Sequence, residues 1–180
     1  VVTRTLRYVD EVICIDDGSS DSSARIAEAC GATVIRHRVN RGYGGALKTL
    51  FLEATKLDAD ALVLLDSDGQ HETGDIPKLL KPILDGEADF AIGSRFVDGG
   101  GGTDMPAYRR LGIKVITAAS NLSSDLGIKD TQSGFRAFSR TALERLRFDS
   151  EGMELSLEML EDAHEKQLRV LEVPLSLIHI

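Results

Sequence analysis

The feature that most constrains the fold is an uninterrupted apolar run, ALVLL (61–65), that leads directly into Asp66, Ser67 and Asp68. Continuous rather than alternating apolar residues predict a strand covered on both faces, as in a parallel sheet flanked by helices. In such sheets ligands bind at the carboxyl ends of the strands. Because residues two apart in an extended segment point to the same side, we expect the Asp66 and Asp68 carboxylates to lie together at this edge.

Two neighbouring carboxylates repel each other unless a cation or a shared proton compensates. A hard divalent cation is the simplest compensation, because Mg²⁺ typically binds one or two carboxylates together with substrate phosphates. The alternative is a solvated acidic turn after a core strand. An isolated D-x-D pattern does not decide between a cation site and a solvated turn, so the other motifs of the chain are needed to choose between them.

Strand-like and helix-like segments alternate along the chain, which predicts an α/β fold with a mostly parallel sheet flanked by helices. The predicted strands are VICI (12–15), ATVIRH (32–37), ALVLL (61–65), ADFAIGSR (88–95), GFRAFS (134–139) and RVLEVPLSLI (169–178). The predicted helices are residues 22–30, 44–56, 75–86, 108–126 and 153–167. A Gly-rich run, DGGGG (98–102), predicts a mobile loop.

Composition narrows the class of function. The chain has 180 residues and a formal net charge of −8. That length favours a single domain, residues 1–180, and that charge argues against nonspecific nucleic-acid binding, which needs a basic surface. Cys14 and Cys30 fall in an apolar strand and at a helix end, so we expect core thiols in a reducing, cytoplasmic compartment.

The predicted layout looks incomplete. The segment VVTRTLRYVD (1–10) has the pattern of a helix tail with no strand before it, and the last apolar strand ends without a cap. A sheet that lacked a neighbouring strand would expose a long unpaired edge, which proteins usually avoid. We therefore expect residues 1–180 to be part of a larger domain.

Six stretches together resemble the inverting family 2 glycosyltransferases of the GT-A fold, and among them the dolichyl- and polyprenyl-phosphate sugar synthases. They occur in the family's order and are EVICIDDGSSDSSARIA, VNRGYGGAL, LVLLDSDGQH, ADFAIGSRF, YRRLGIK and DTQSGFRAFSR. The resemblance implies a GT-A, Rossmann-like sheet whose first strand is missing here. It also implies a GDP- or UDP-sugar donor, a polyprenyl or dolichyl phosphate acceptor at the cytoplasmic membrane face, and Mg²⁺ or Mn²⁺ as cofactor.

The resemblance also assigns the donor side. It places Asp66 and Asp68 as the metal ligands and as part of the catalytic machinery. The implied nucleotide-binding residues are Ile15, Asp16, Asp17, Asn40, Arg41, Gly42, Asp66, Ser67 and Asp68. Alternatives remain open: Asp17 could simply favour a helix N-terminus, Asp16 could orient its turn, and residues 40–42 could be ordinary turn chemistry. His71 is interpreted as a surface or packing residue.

On the acceptor side, the resemblance implies catalytic roles for Arg95 and Asp130. The implied acceptor-binding residues are Gln70, Arg95, Arg109, Arg110, Lys114, Ser133 and Arg136. Arginine suits bidentate phosphate binding. Relatives with hydroxyl acceptors carry a general base at the position of Asp130, whereas with a lipid phosphate Asp130 would only be positional. Ser133 and Arg136 could instead shape the loop, and Arg136 could form an internal ion pair with Asp130.

This sequence departs from the family pattern at both ends. The P-x-Y-N-E type segment that should precede Val1 and the basic stretch that should follow the last strand are absent, so we expect residues 1–180 alone to be poorly active. Four alternatives stay open. Two are a family 2 transferase with a soluble or polysaccharide hydroxyl acceptor and a receiver domain using Asp16, Asp17 and Asp66. The others are an aspartyl phosphotransferase in which DSDG supplies the nucleophile and a nucleotide-binding domain without enzymatic activity.

Overall fold

The computed structural model describes residues 1–94, 97, 128, 130–150, 152 and 154–175. Its strands are β1 (Ile13–Asp16), β2 (Thr33–Arg36), β3 (Ala61–Leu64), β4 (Phe90–Ser94), β5 (Arg136–Ser139) and β6 (Val170–Pro174). Its helices are α1 (Val2–Thr5), α2 (Ser23–Ala29), α3 (Gly42–Lys56), α4 (Ile76–Leu84), α5 (Arg140–Arg145) and α6 (Leu155–Glu165), and a 3₁₀ turn, Thr73–Asp75, precedes α4. The predicted elements in this part of the chain are confirmed. The predicted helix 108–126 and loop 98–102 lie outside the described residues.

The strands form two separate sheets in the part of the chain that the structure describes. β1 and β2 pair in parallel, and a four-stranded sheet has the order β3-β5-β4-β6. β4 and β6 are parallel, whereas β5 runs antiparallel to both β3 and β4. β3, β4 and β6 therefore share one direction, and the antiparallel β5 and the division between β1 and β3 are details that the predicted, mostly parallel sheet did not specify. Apolar periodicity reports burial and not strand direction, so it could not reveal either feature.

The division between the sheets is a cavity of about 800 Å³. Residue 12 and the β1 residues 13–15 line it on one side. The β3 residues 61–64 and the following residue 65 line it on the other. β1 and β3 do not pair with each other, and residues of both strands border this cavity.

Helices cover both faces of the four-stranded sheet. Phe90, Ile92 and Phe138 point into one core cluster, which includes residues of α3, α5 and α6. Ala91 and Ala137, their neighbours along the strands, point into a second cluster with residues of α4. This alternation explains why β4 is buried at every position, since helices cover both of its faces.

The aromatic residues of the first cluster generate a stability prediction. The Phe138 ring is fully buried, lies 5.0 Å from the ring of Phe51 and stacks on Phe90 at 4.5 Å. We expect Phe138→Ala to lower the free energy of unfolding by about 3–5 kcal/mol, because it leaves a cavity among packed rings. Urea unfolding monitored by circular dichroism measures this change.

The matched control is Leu52→Ala on α3, because Leu52 is exposed. A surface substitution of this kind should change the free energy of unfolding by no more than about 0.5 kcal/mol. Equal losses for the two variants would contradict the assignment of Phe138 to the core.

Candidate functional site

The first strand end presents Asp17, whose carboxylate is held by two other segments. Its Oδ1 lies 2.6 Å from Nδ1 of His37 and accepts a hydrogen bond of 2.8 Å from the backbone N–H of Arg41. The other ring nitrogen of His37 lies 2.8 Å from Oγ1 of Thr49 on α3. The His37 contact, and then the backbone hydrogen bonds, hold the pKa of Asp17 below its usual range. Asp17 is therefore an oriented, ionised group that joins β1, β2 and α3.

Sequence reasoning missed His37. A signal for it does exist, because β1 and β2 pair in parallel with Asp16 opposite Arg36, so the next residues, Asp17 and His37, meet just beyond the strands. That register is not visible in the sequence alone. Once it is known, the pairing of these two side chains follows directly.

The turn that precedes α3 lies against the Asp17 loop. A Cβ added to Gly18 would come within 3.0 Å of the Asn40 nitrogen, so the two backbones approach closely there. Asn40 Oδ1 accepts a hydrogen bond of 2.9 Å from the Gly42 N–H, and Gly42 has a φ of +75°. Arg41 and Gly42 also line a cavity of about 650 Å³ with Lys48. The structure thus brings the predicted nucleotide-binding turn to Asp17.

Asp16, unlike Asp17, is turned into its own loop. Its side chain is buried, and its Oδ1 accepts a hydrogen bond of 3.0 Å from the Ser19 N–H. This contact supports the alternative in which Asp16 orients its own turn. Ile15, one residue earlier, lines the 800 Å³ cavity.

The second strand end presents Asp66, whose side chain is 49% exposed. Its Oδ2 lies 3.7 Å from Nε2 of His71, and this imidazole is the main cause that lowers the pKa of Asp66. Asp66 and Ser67 line the 800 Å³ cavity together with Ile15 and Tyr43. The ends of β1 and β3 therefore border a shared cavity, whereas Asp17 and Asp68 are not among the residues that line it.

Asp68 and Gln70 are exposed in the turn that follows. Asp68 Oδ1 accepts a hydrogen bond of 2.9 Å from the Gln70 N–H, and Gly69 between them has a φ of +79°. Among the described residues, no cluster of three or more His, Cys, Asp or Glu side chains has the arrangement of a complete metal site. The donor set fits a cation that takes its remaining ligands from a bound diphosphate and water.

The segment before β5 contains the predicted acceptor-side residues, and it is largely buried. Asp130, Ser133 and Arg136 have 0%, 4% and 1% of their surface exposed. The Arg136 guanidinium donates from Nε to the Ser133 carbonyl and from Nη2 to the Thr131 carbonyl, each at 2.8 Å. The prediction that Arg136 presents its guanidinium to the acceptor is corrected, because these bonds assign it to shaping the loop.

Burial also indicates structural roles for Ser133 and Asp130, which precede Arg136 in this segment. Ser133 Oγ accepts a hydrogen bond of 3.4 Å from the Phe135 N–H, which favours its alternative role in shaping the loop. Asp130 adds charge that stabilises the Arg136 guanidinium, whose pKa burial lowers. The remaining predicted basic residues, Arg95, Arg109, Arg110 and Lys114, lie outside the described residues.

The structure also bears on membrane insertion. Across the described ranges, no helix combines the length and the apolarity needed to cross a bilayer.

Comparison with known proteins assigns the chain to a family. The model of glycosyl transferase family 2 matches residues 2–147. The chain is 31% identical over 189 residues to the UDP-N-acetylglucosamine–dolichyl-phosphate N-acetylglucosaminyltransferase of Methanococcus voltae, covering 94% of this chain and 75% of that protein. It is 34% identical over 170 residues to the dolichol-phosphate mannosyltransferase of Pyrococcus furiosus, covering 91% of this chain and 47% of that one.

A solved structure shows the same fold. Glucosyl-3-phosphoglycerate synthase from Mycobacterium tuberculosis, in complex with Mg²⁺ and UDP, is 25% identical and matches with a TM-score of 0.73. The match covers 99% of this chain and 65% of that one. The prediction of a GT-A fold is confirmed. The match to glycosyltransferases argues against the receiver-domain and aspartyl phosphotransferase alternatives. The chain belongs to glycosyltransferase family 2.

Proposed function

We propose that this chain forms the donor-binding part of an inverting glycosyltransferase that moves a sugar from a nucleoside-diphospho-sugar to a polyprenyl phosphate. The observation that carries the proposal is the shared cleft at the ends of β1 and β3, which Ile15, Asp66 and Ser67 line and beside which the Asp17 loop lies. Two ionised carboxylates at this edge suit a polar, phosphate-bearing donor that arrives with a cation.

On the donor side, Asp17 supplies a fixed acceptor for a nucleobase N–H or a ribose hydroxyl. His37 and the Arg41 N–H both engage Oδ1, so the carboxylate keeps one orientation. The 40–42 turn and the Arg41 side chain border the second cavity, where they can contact the nucleotide. Uracil and guanine remain the two candidate bases: one relative is named for a UDP-sugar donor, whereas the name of the dolichol-phosphate mannosyltransferase gives no nucleotide.

Asp66 and Asp68 would hold the divalent cation. Asp66 is half exposed and its pKa is lowered, so it is ionised and accessible near neutral pH. When bound, such a cation neutralises the charge that builds on a departing diphosphate.

The acceptor is proposed from the relatives, whose names include dolichyl-phosphate and dolichol-phosphate transferases. A phosphate monoester oxygen is already anionic, so it can attack the anomeric carbon without a general base while the bond to the diphosphate breaks from the opposite face. The buried position of Asp130 is consistent with this, because it suits a positional role. Arg95, Arg109, Arg110 and Lys114 are the proposed phosphate ligands, and the reaction would occur at the cytoplasmic membrane face.

A soluble acceptor is the second candidate. The mycobacterial enzyme of the same fold has been solved with phosphoglyceric acid, at 25% identity and a TM-score of 0.77. Turnover assays with undecaprenyl phosphate in detergent and with 3-phosphoglycerate separate the two. They should be run on the full-length gene product, because the chain spans only part of these relatives.

The first functional prediction concerns Asp68. Asp68→Ala should weaken nucleotide binding in the presence of Mn²⁺ by about tenfold or more, because one of two carboxylates on the cation is lost. It should leave binding without metal unchanged. Isothermal titration with UDP and with GDP, with Mn²⁺ and with EDTA, measures both.

The matched control is Glu161→Ala, because Glu161 is an exposed carboxylate on α6 and lines neither cavity. It should leave both titrations unchanged. Retention of full Mn²⁺ dependence by Asp68→Ala would count against the proposed cation site.

The second functional prediction concerns pH and Asp17. Since its pKa is lowered on folding, Asp17 contributes stability above the unfolded Asp pKa of about 3.9, and this contribution is lost as the pH falls through the folded value. Asp17→Asn should therefore be less stable than wild type at pH 7, and the two should converge in acid. Chemical denaturation at a series of pH values tests this.

The control for Asp17 is Glu161→Gln, at an exposed position of α6, which should track wild type at every pH. A stability difference between Asp17→Asn and wild type that stays constant down to pH 3 would contradict the lowered pKa of Asp17. Loss of UDP or GDP binding by Asp17→Asn at pH 7 would in addition support its donor-side role.

A further inference from the structure

We propose that Gly134 is a positioning residue that fixes the orientation of Asp66. Gly134 can do so because Arg136 holds the loop that contains it in place. The inference rests on the proposed function, because the orientation of Asp66 matters for catalysis only if this carboxylate holds the cation. It concerns a glycine that lies in neither the donor-side nor the acceptor-side set of predicted residues.

The contact between the two residues is unusually close. A Cβ added to Gly134 would lie 2.2 Å from Oδ2 of Asp66, 3.0 Å from its Cγ and 3.2 Å from its Oδ1. The whole carboxylate therefore lies directly over the Gly134 backbone. Gly134 is not among the glycines with positive φ, so this position requires glycine for space and not for backbone conformation.

The loop beneath the carboxylate is held in place by buried hydrogen bonds. Arg136 binds the Thr131 and Ser133 carbonyls, which precede Gly134 in the chain. On the other side, the carbonyl of Phe135 accepts a hydrogen bond of 2.8 Å from the Gly93 N–H on β4. Gly134 lies between these attachments, so the backbone cannot easily move away from an added methyl group.

His71 limits Asp66 from another direction. Its Nε2 lies 3.7 Å from the same oxygen, Oδ2, and its ring packs on Phe135 with 5.0 Å between ring centroids. The carboxylate is thus confined between the Gly134 backbone and the His71 imidazole, and that imidazole in turn packs on Phe135, the residue after Gly134. About half of the Asp66 side chain remains exposed, which leaves it accessible to a ligand.

Two roles for Gly134 give different expectations. If glycine only permits tight packing of the segment before β5, an added methyl should lower stability and leave cation affinity of the folded protein unchanged. If Gly134 orients Asp66, the methyl must displace the carboxylate, and cation affinity must fall even where the protein is fully folded. Loss of a group that orients a metal ligand typically weakens metal binding about 10- to 100-fold.

The experiment compares Gly134→Ala with Gly74→Ala in the full chain. Gly74 is the matched control, because a Cβ there would meet no atom closer than 3.7 Å and its φ is not positive. Mn²⁺ affinity is measured by electron paramagnetic resonance of free Mn²⁺ at a fixed UDP concentration. We expect about 10- to 100-fold weaker Mn²⁺ binding for Gly134→Ala and no more than about a twofold change for Gly74→Ala. Equal affinities for the two folded variants would overturn the proposal.

A double-mutant cycle keeps the test decisive if Gly134→Ala does not fold. In an Asp66→Ala background the carboxylate that the methyl would strike is gone, so adding Gly134→Ala should cost much less thermal stability than it does in wild type. The same loss in both backgrounds would overturn the proposed contact. Asp66→Ala alone tests the proposed function separately, because unchanged Mn²⁺ binding there would refute the cation site while leaving the stability cycle interpretable.

Discussion

The candidate site depends on one buried cation, the guanidinium of Arg136. Removing a guanidinium from water is costly, so it persists inside a protein only where hydrogen bonds and opposite charge compensate. Here the Thr131 and Ser133 carbonyls accept two of its hydrogen bonds, and the Phe90 ring lies 5.8 Å beneath it. These bonds fix the loop before β5 so that Gly134 comes to lie under Asp66. A buried residue thereby determines where the exposed carboxylate of Asp66 can lie.

The carboxylates that follow β1 and β3 are both held ionised by a neighbouring histidine. Asp17 follows β1 and Asp66 follows β3, and each has a histidine beside it that lowers the carboxyl pKa. His37 follows β2, the strand paired with β1, whereas His71 lies in the same loop as Asp66. An imidazole can hold a carboxylate in place without the permanent positive charge that an arginine would add next to a cation.

The division of the sheet shows how the site depends on its surroundings. β1 and β3 carry the two carboxylates, yet the cavity between them separates their edges. Asp17 is tied to β2 and α3, and Asp66 to the segments around His71 and β5. Each half of the cleft is therefore ordered by its own contacts, His37 and the Arg41 N–H for Asp17, and His71 for Asp66.

The sequence by itself determined the element pattern, the D-x-D edge and the family, because apolar periodicity, turn residues and motif order are all local properties of the chain. It placed Asp17, Asp66 and the 40–42 turn correctly on strand ends and loops. Strand direction, the register that pairs Asp17 with His37, and the inward rotation of Arg136 depend on contacts between residues far apart in the chain, and no local pattern encodes them. Only the tertiary structure could therefore decide that Arg136 shapes a loop and that a glycine, Gly134, lies under the Asp66 carboxylate.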